Sequence, residues 1–516
     1  MRRRVFLASG AGAVAALSAQ SVVACSAPEN TTAPAGETQD VAAEVVQKLR
    51  AQYEGQFDAE YVDHVIIPNH LVSIYEGQRP VLPMIDVPLT KENALPTDLW
   101  GLLSETWAPD PAEGVTVFLQ GLEKRGPDNR RKRIYMSAVT PDLYDAKYRA
   151  KVVRFWDELF AAGNAGKPLM RIYLDTFWDL YWDLHLGVRG DQIPEQVRQI
   201  GASFNAVLAF RNPTEKVVYD NYMIVRKNLD FLKSWIDDRL ADISADRIAD
   251  RDTTFAWYWL RNGEESEYFN HKDVVFECFH NFVAFSQWGN SLYNVMAKLA
   301  ADGGDAQART WFDKTMANNP EVPDGSAFPP LERLAMELFR TISPNGGSIS
   351  ALAENRTPPF DRSGYIISPH TSTSHDPVQW RNPDEFDPSR YVGTPTSQDV
   401  DEARIRDMGL ANCPFPVTSF GVKDGREAAL RNSAFGTVFG VVDDKPMPVC
   451  DYAGFAPFGF GYRRCPGEQL TLMAFEDLLL KAAKDKIAFV KIAEPSSEQL
   501  PIGPNTVITD DIGFTR

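Results

Sequence analysis

Apolar residues recur at helical spacing along most of this chain. Over 143–162 the series Leu143, Tyr144, Tyr148, Val152, Phe155 and Phe160 falls on one helical face, which predicts a helix with that face buried. The same period runs through 215–240, 272–301 and 467–484, and Leu331–Ile342 reads as an amphipathic helix behind the proline-rich stretch 320–330. Pro and Gly predict irregular backbone over 318–330 and 341–364, with short β-like pieces near 115–119 and 364–368. From residue 42 onward no Gly/Ser linker, internal repeat or low-complexity block divides the chain. The pattern therefore predicts one large domain over 42–516, mainly α with minor β. The 516 residues alone would suggest three domains at about 150 residues each.

The first residues read as an address. Arg2-Arg3-Arg4 precedes a mildly apolar Ala/Gly/Ser/Val run to Ala24, the layout of a secretory signal over 1–24. Arg3-Arg4-x-Phe6-Leu7 resembles the bacterial twin-arginine export motif. Val22-Val23-Ala24-Cys25 resembles a lipoprotein cleavage box, which would make Cys25 the lipidated first residue of the mature chain. A retained membrane helix and a freely released form are the competing readings, the first because about 20 apolar residues just span a bilayer. Residues 25–41, rich in Pro, Thr, Ala and Gly, read as a flexible tether. The expected location is the cell envelope, periplasmic or outer surface, with membrane contact only through Cys25.

Composition narrows the class. Hydrophobic residues make up 44% and charged residues 24%, as in an ordinary globular protein. A net charge of −17 argues against nucleic acid as a partner. The chain has no phosphate-binding Gly-rich loop ending in Lys-Ser/Thr, no zinc-peptidase His pair and no Cys-x-x-Cys. Its five cysteines are Cys25, Cys278, Cys413, Cys450 and Cys465; exported Cys413 and Cys450 could pair, but spacing does not establish it.

The chemistry concentrates around Cys465, in Phe458-Gly459-Phe460-Gly461-Tyr462-Arg463-Arg464-Cys465-Pro466-Gly467-Glu468. Three glycines allow tight turns on both sides of one cysteine. Pro466 suits the first turn of a helix, and the dipole and free N–H groups of a helix N-terminus favour a thiolate. Such a sulfur can hold a metal from one side. Phe458 can pack over it and Arg463 can pair with an anion beside it.

This loop resembles the haem-binding signature of the cytochrome P-450 superfamily at each fixed position: Phe458, Gly461, Arg463, Cys465 and Gly467. The resemblance implies a triangular helical fold around a buried haem b, with Cys465 as the iron ligand. Glu337-Leu338-Phe339-Arg340 matches the family's K helix, with both charges on one helical face. The stretch from Asp376-Pro377 through Trp380, Asn382-Pro383, Phe386 and Pro388 to Arg390-Tyr391 resembles its meander. Together they imply a structural network of Glu337, Arg340 and Arg390. Gly126-Pro127-Asp128-Asn129-x-x-x-Arg133 resembles its C helix, with Asn129 where an aromatic or His is usual. The resemblance makes Arg133, Arg356 and Arg463 candidates to hold the haem propionates through bidentate hydrogen bonds.

The oxygen-activating helix departs from the family. Monooxygenases carry an acid–Thr pair there, and this chain reads His280-Asn281-Phe282-Val283-Ala284-Phe285-Ser286-Gln287-Trp288-Gly289-Asn290. Gln287 cannot donate and recover a proton as a carboxyl does, and the Thr position holds Trp288 or Asn290 according to register. Prostacyclin synthase and the allene oxide synthases also lack the pair, because their substrates already contain an O–O bond. Gln287 and Asn290 are thus the candidate catalytic residues. The expected activity is oxidation of an apolar small molecule such as a lipid or terpene, monooxygenase-like or peroxide-driven. Redox-neutral isomerisation or dehydration of a hydroperoxide or endoperoxide, and a non-catalytic haem-binding lipoprotein, are the alternatives. The redox partner is left open, and a peroxide-driven enzyme would need none.

Overall fold

A computed structural model describes residues 64–66, 130–208, 215–263, 269–326, 328–344, 348–351, 365–368, 374–375, 380–392, 438–442, 445–449, 457–458, 465–492, 499–503 and 506–516. The signal-like segment, the tether and the strand expected at 115–119 lie outside them.

Helices dominate. They are α1 (Arg130–Met136), α2 (Arg149–Leu159), α3 (Met170–Leu186), α4 (Glu195–Leu208), α5 (Glu215–Ser244), α6 (Phe255–Gly263), α7 (His271–Leu299), α8 (Ala306–Met316), α9 (Pro330–Ile342) and α10 (Glu468–Lys484). A short turn at Pro141–Leu143 and a wider one at Tyr144–Tyr148 lead into α2, so the periodic stretch 143–162 is helical for most of its length. The periodic stretches became α5, α7, α9 and α10 within a few residues. Helices α3, α4, α6 and α8 add to them.

Local signals set several boundaries. Helix α7 begins at Asn270, whose Oδ1 accepts from the N–H groups of Lys272 (2.9 Å) and Asp273 (3.3 Å), while Asp273 Oδ2 accepts from the Asn270 N–H at 2.8 Å. This reciprocal cap satisfies donors that no helical carbonyl reaches. Helix α9 starts at Pro330, where a missing N–H costs nothing. Helix α3 stops at Gly187, whose φ of 70° would strain a residue with a Cβ.

The strands are short. β3 (Tyr365–Ser368) pairs in parallel with β1 (His64–Ile66) and antiparallel with β2 (Ser348–Ala351). β2 lies inside the stretch 341–364 expected to be irregular: its neighbour β3, not its own composition, supplies the ladder. Antiparallel pairs join β4 (Val438–Val442) to β5 (Lys445–Val449), β6 (Ala488–Lys491) to β9 (Ile512–Thr515), and β7 (Gln499–Gly503) to β8 (Thr506–Thr509).

The core is aromatic and centres on α2, α3, α6, α7 and α10. Trp156, Trp182, Trp259, Tyr173 and Tyr181 are each at most 1% exposed. Trp156 Nε1 donates to the Ala474 carbonyl at 2.9 Å, tying α2 to α10, and the Tyr181 hydroxyl donates to the Cys278 carbonyl at 2.6 Å, tying α3 to α7. Each bond satisfies the polar handle of a buried ring. At Gly289 a Cβ would lie 2.8 Å from the Tyr173 ring, so glycine lets α3 press directly on the backbone of α7.

Candidate functional site

Cys465 precedes α10 by three residues and is half-buried. Its N–H donates to the Phe458 carbonyl at 2.8 Å, closing the loop between them. The Phe458 ring stacks on Phe339 of α9 with centroids 5.3 Å apart, and Phe339 meets Phe475 of α10 edge-on at 5.2 Å. The cysteine is thereby held against two helices through one aromatic anchor. Gly467 has a φ of −88°, which any residue adopts. A Cβ there would touch Cys465 Sγ at an ordinary 3.7 Å, so glycine leaves that flank of the sulfur bare without being sterically required. Gly461, Arg463 and Arg356 lie outside the described residues, as do Cys413 and Cys450, and nothing is described of the Arg133 side chain.

Glu337, Arg340 and Arg390 come together. Arg340 Nε and Nη2 donate to the two Glu337 carboxylate oxygens at 2.8 and 2.7 Å, and Arg390 Nε reaches Oε1 at 3.1 Å. Glu337 also accepts from the Asp387 N–H (2.9 Å) and the Tyr391 hydroxyl (3.2 Å). Arg340 Nη1 donates to the carbonyls of Ser374 and Pro383 at 2.7 and 2.8 Å, and both guanidiniums flank the Trp380 ring at 5.3 and 5.7 Å. Glu337 and Arg340 are fully buried. The cluster fastens 380–392 to α9, the helix on which Phe458 rests.

On α7, Asn290 is engaged at both ends of its carboxamide. Nδ2 donates to the Pro344 carbonyl at 2.7 Å, and Oδ1 accepts from Asn294 at 2.6 Å. The first bond ties α7 to the segment just past α9, and the second lies within α7. Trp288 Nε1 donates to Thr471 Oγ1 of α10 at 2.9 Å. From Phe285 to Leu292 each residue is buried except Gln287. Its Oε1 is itself enclosed, with no hydrogen-bond partner among the described residues, and Gln469 Nε2 on α10 shares that condition.

A second polar assembly joins α1, α3 and α7. Arg131, in the basic run 130–133, is buried and bridges Asp273 and Glu277 at 2.9 Å each, with its guanidinium 4.9 Å from the Phe269 ring. One turn on, the Tyr135 hydroxyl donates to Asn281 Oδ1 at 2.8 Å, and Asn281 Nδ2 contacts His185 Nε2 at 3.0 Å. His185 Nδ1 faces the Tyr181 carbonyl at 2.7 Å. Donor counting leaves His185 neutral, with its proton on Nδ1. Burial first, then the charges of Glu277 and Cys465, push the Tyr135 hydroxyl well up, which places Cys465 within electrostatic reach of this assembly. The sequence did hold a signal for it: Asp273, Glu277 and Asn281 recur every four residues along one face of a mostly apolar helix.

His185 makes stability depend on pH. Burial lowers its pKa from 6.5 to about 3. The unfolded chain takes up a proton near 6.5 and the folded protein does not until about 3. Its contribution is therefore complete above pH 6.5 and is lost on acidification towards 3, by about 1.4 kcal/mol per pH unit within the window. Thermal midpoints of His185→Gln between pH 7 and 5 should fall less steeply than those of the parent protein; equal slopes would remove His185 from the account.

No protein-family model and no curated protein matches the chain. Solved structures do. Retinoic acid-bound cyanobacterial CYP120A1 superposes with a TM-score of 0.54 at 12% identity, over 93% of this chain and 96% of that one. A variant of cytochrome P-450 OleT in complex with arachidonic acid gives 0.53 at 12% identity, over 95% and 99%. A zebra fish cytochrome P-450 with progesterone gives 0.54 at 12%, over 91% and 99%. The fold is that of the cytochromes P-450. A P-450 fold implies a haem held by a cysteine, and the groups in place fit one: a half-buried cysteine flanked by Gly467, behind an aromatic anchor. The enclosed amide atoms of Gln287 and Gln469 lie on α7 and α10, the two helices that the Trp288–Thr471 bond joins.

Proposed function

We propose that the chain is a haem-thiolate oxidoreductase of cytochrome P-450 type that uses a peroxide to oxidise an apolar small molecule. The observation that carries this reading is the Cys465 sulfur, presented beside Gly467 ahead of α10 within a P-450 fold. Cys465 would ligate haem b, Phe458 would shield the sulfur, and Arg133, Arg356 and Arg463 would pair with the propionates. The haem supplies the redox chemistry. The protein's part is to set the ligand, exclude water and orient the substrate.

Three observations favour peroxide over an electron-transfer partner. Helix α7 has no acid–Thr pair, Trp288 is committed to Thr471, and Asn290 is committed to Pro344 and Asn294. An exported enzyme is also removed from the cytosolic pool of reduced nicotinamide. Export through the twin-arginine route, anchoring at Cys25 and a haem domain over 42–516 belong to the same proposal. Structural neighbours bound to retinoic acid, arachidonic acid and progesterone support a lipid or terpene as the substrate. The missing pair equally favours a second reading, redox-neutral rearrangement of a lipid hydroperoxide.

The test is turnover without reductant. Haem-loaded protein should consume a hydroperoxide and oxidise an added apolar co-substrate. Rearranged hydroperoxide with no oxidised co-substrate would select the second reading. Activity that needs NAD(P)H and a reductase would overturn both.

A further inference from the structure

A line of aromatic rings crosses the helical core from the cysteine side to the surface. It begins at Tyr135 of α1, close enough to Cys465 to feel its charge. The Tyr135 ring centroid lies 5.2 Å from that of Trp259 on α6. His185 of α3 fills the next gap, 5.9 Å from Trp259 and stacked on Tyr181 at 4.1 Å. Tyr181 meets Trp182 edge-on at 5.0 Å, and Trp182 meets Trp235 of α5 edge-on at 4.8 Å. Trp259, His185, Tyr181 and Trp182 are buried, while Trp235 is only half-buried. Leu or Phe would fill such space; indoles and phenols, the rings most easily stripped of an electron, stand there instead. Proton positions decide where a missing electron can rest. Trp259 Nε1 donates to the Tyr135 carbonyl at 3.0 Å, and Trp182 Nε1 is enclosed with no acceptor among the described residues. The Tyr135 and Tyr181 hydroxyls donate to Asn281 Oδ1 and the Cys278 carbonyl. An amide oxygen accepts a hydrogen bond but does not take the proton over, so an oxidised ring inside the core passes its deficit on. At Trp235 water can take the indole proton.

We infer that this line is an electron relay, and that Trp235 is a second, surface site at which a phenol is oxidised by one electron. The inference rests on the peroxide-driven reading and adds a class of substrate that never reaches Cys465. Trp259, Trp182 and Trp235 carry the charge, since an indole loses an electron while keeping its N–H; Tyr135, His185 and Tyr181 bridge them. The hydroperoxide is the oxidant: its O–O bond breaks with two electrons and two protons, giving one alcohol and one water. The electrons come one at a time from two phenol molecules, each of which leaves as a phenoxyl radical and gives its proton to solvent. Phe231, exposed one turn before Trp235 on the same face of α5, offers a phenol ring a flat surface to rest on.

The test supplies cumene hydroperoxide to haem-loaded wild type, Trp235→Phe, Trp235→Tyr and Trp182→Phe, with guaiacol as the electron donor. Trp235→Phe should lose most of the guaiacol oxidation and keep oxidation of an apolar co-substrate. Trp235→Tyr should restore it, because a surface tyrosine also gives its proton to water. Phe and Tyr fill nearly the same space, so a packing role would not separate them. Trp182→Phe, which leaves Trp235 in place, should lose guaiacol oxidation too. With peroxide and no donor, freeze-quench electron paramagnetic resonance should show a tryptophanyl radical in wild type that becomes tyrosyl in Trp235→Tyr, and peptide mass spectrometry should find oxidised indole at Trp235. Guaiacol left untouched by an otherwise active wild type, guaiacol oxidised at the wild-type rate by Trp235→Phe or Trp182→Phe, or a radical of unchanged character in Trp235→Tyr overturns this inference alone. Wild type that consumes no hydroperoxide overturns the peroxide-driven reading and this inference together.

Discussion

Replacing Cys465 with alanine should abolish activity and remove the red-shifted ferrous carbon monoxide band of thiolate-ligated haem. The expectation follows from how singular this sulfur is. Among the described residues the other cysteine, Cys278, is fully buried on α7, where burial pushes its thiol well above the ordinary range. A thiol kept protonated is a poor ligand. Cys465 is partly exposed, fixed by its own N–H to the Phe458 carbonyl at 2.8 Å and bordered by Gly467. The fold should survive the change, because that backbone bond and the Phe458–Phe339 stack remain. Absorbance with carbon monoxide under reduction, read beside circular dichroism, separates loss of the ligand from loss of the fold. A wild-type protein without the band, or a Cys465→Ala protein that keeps it, would overturn the assignment.

Glu337→Ala should be among the most destabilising single changes in the protein, by about 3–5 kcal/mol. Five hydrogen bonds converge on that carboxylate: two from Arg340 and one each from Arg390, the Asp387 N–H and the Tyr391 hydroxyl. Arg340 is 0% exposed, so it cannot turn to water when its partner leaves. What remains is a buried, uncompensated cation and several donors without acceptors. Because 380–392 hangs on α9 through this cluster, and Phe458 rests on α9, the damage should spread to retention of haem. Chemical denaturation measures the first effect and haem content the second. A variant within about 1 kcal/mol of wild type would show that relaxation replaces those bonds.

Much of the fold was legible along the chain. The 3.6-residue period located α5, α7, α9 and α10, since a helix with one buried face must repeat its apolar residues at that interval. The helix start behind Cys465 was legible because Pro466 and the apolar period over 467–484 mark one. Strand β2 was not legible: a four-residue ladder depends on a partner distant in sequence. The place of Arg131 was not legible either, for a similar reason. A basic run reads as surface or anion contact until a helix from beyond residue 270 brings Asp273 and Glu277 against it.

The sequence by itself determined which residues were available for chemistry: one cysteine on a glycine-rich loop, an i, i+3 charge pair, and a central helix without an acid–alcohol pair. Tertiary structure decided which of them are spent on holding the protein together. Asn290 and Gln287 are both carboxamides on α7, yet one is bonded at both ends and the other has an enclosed oxygen that accepts nothing from the described residues. Asn294, one turn on in α7, is a local partner, but Pro344 meets Asn290 only once the end of α9 has packed against α7. Local sequence can name a donor or an acceptor, but the partner that satisfies it arrives through space.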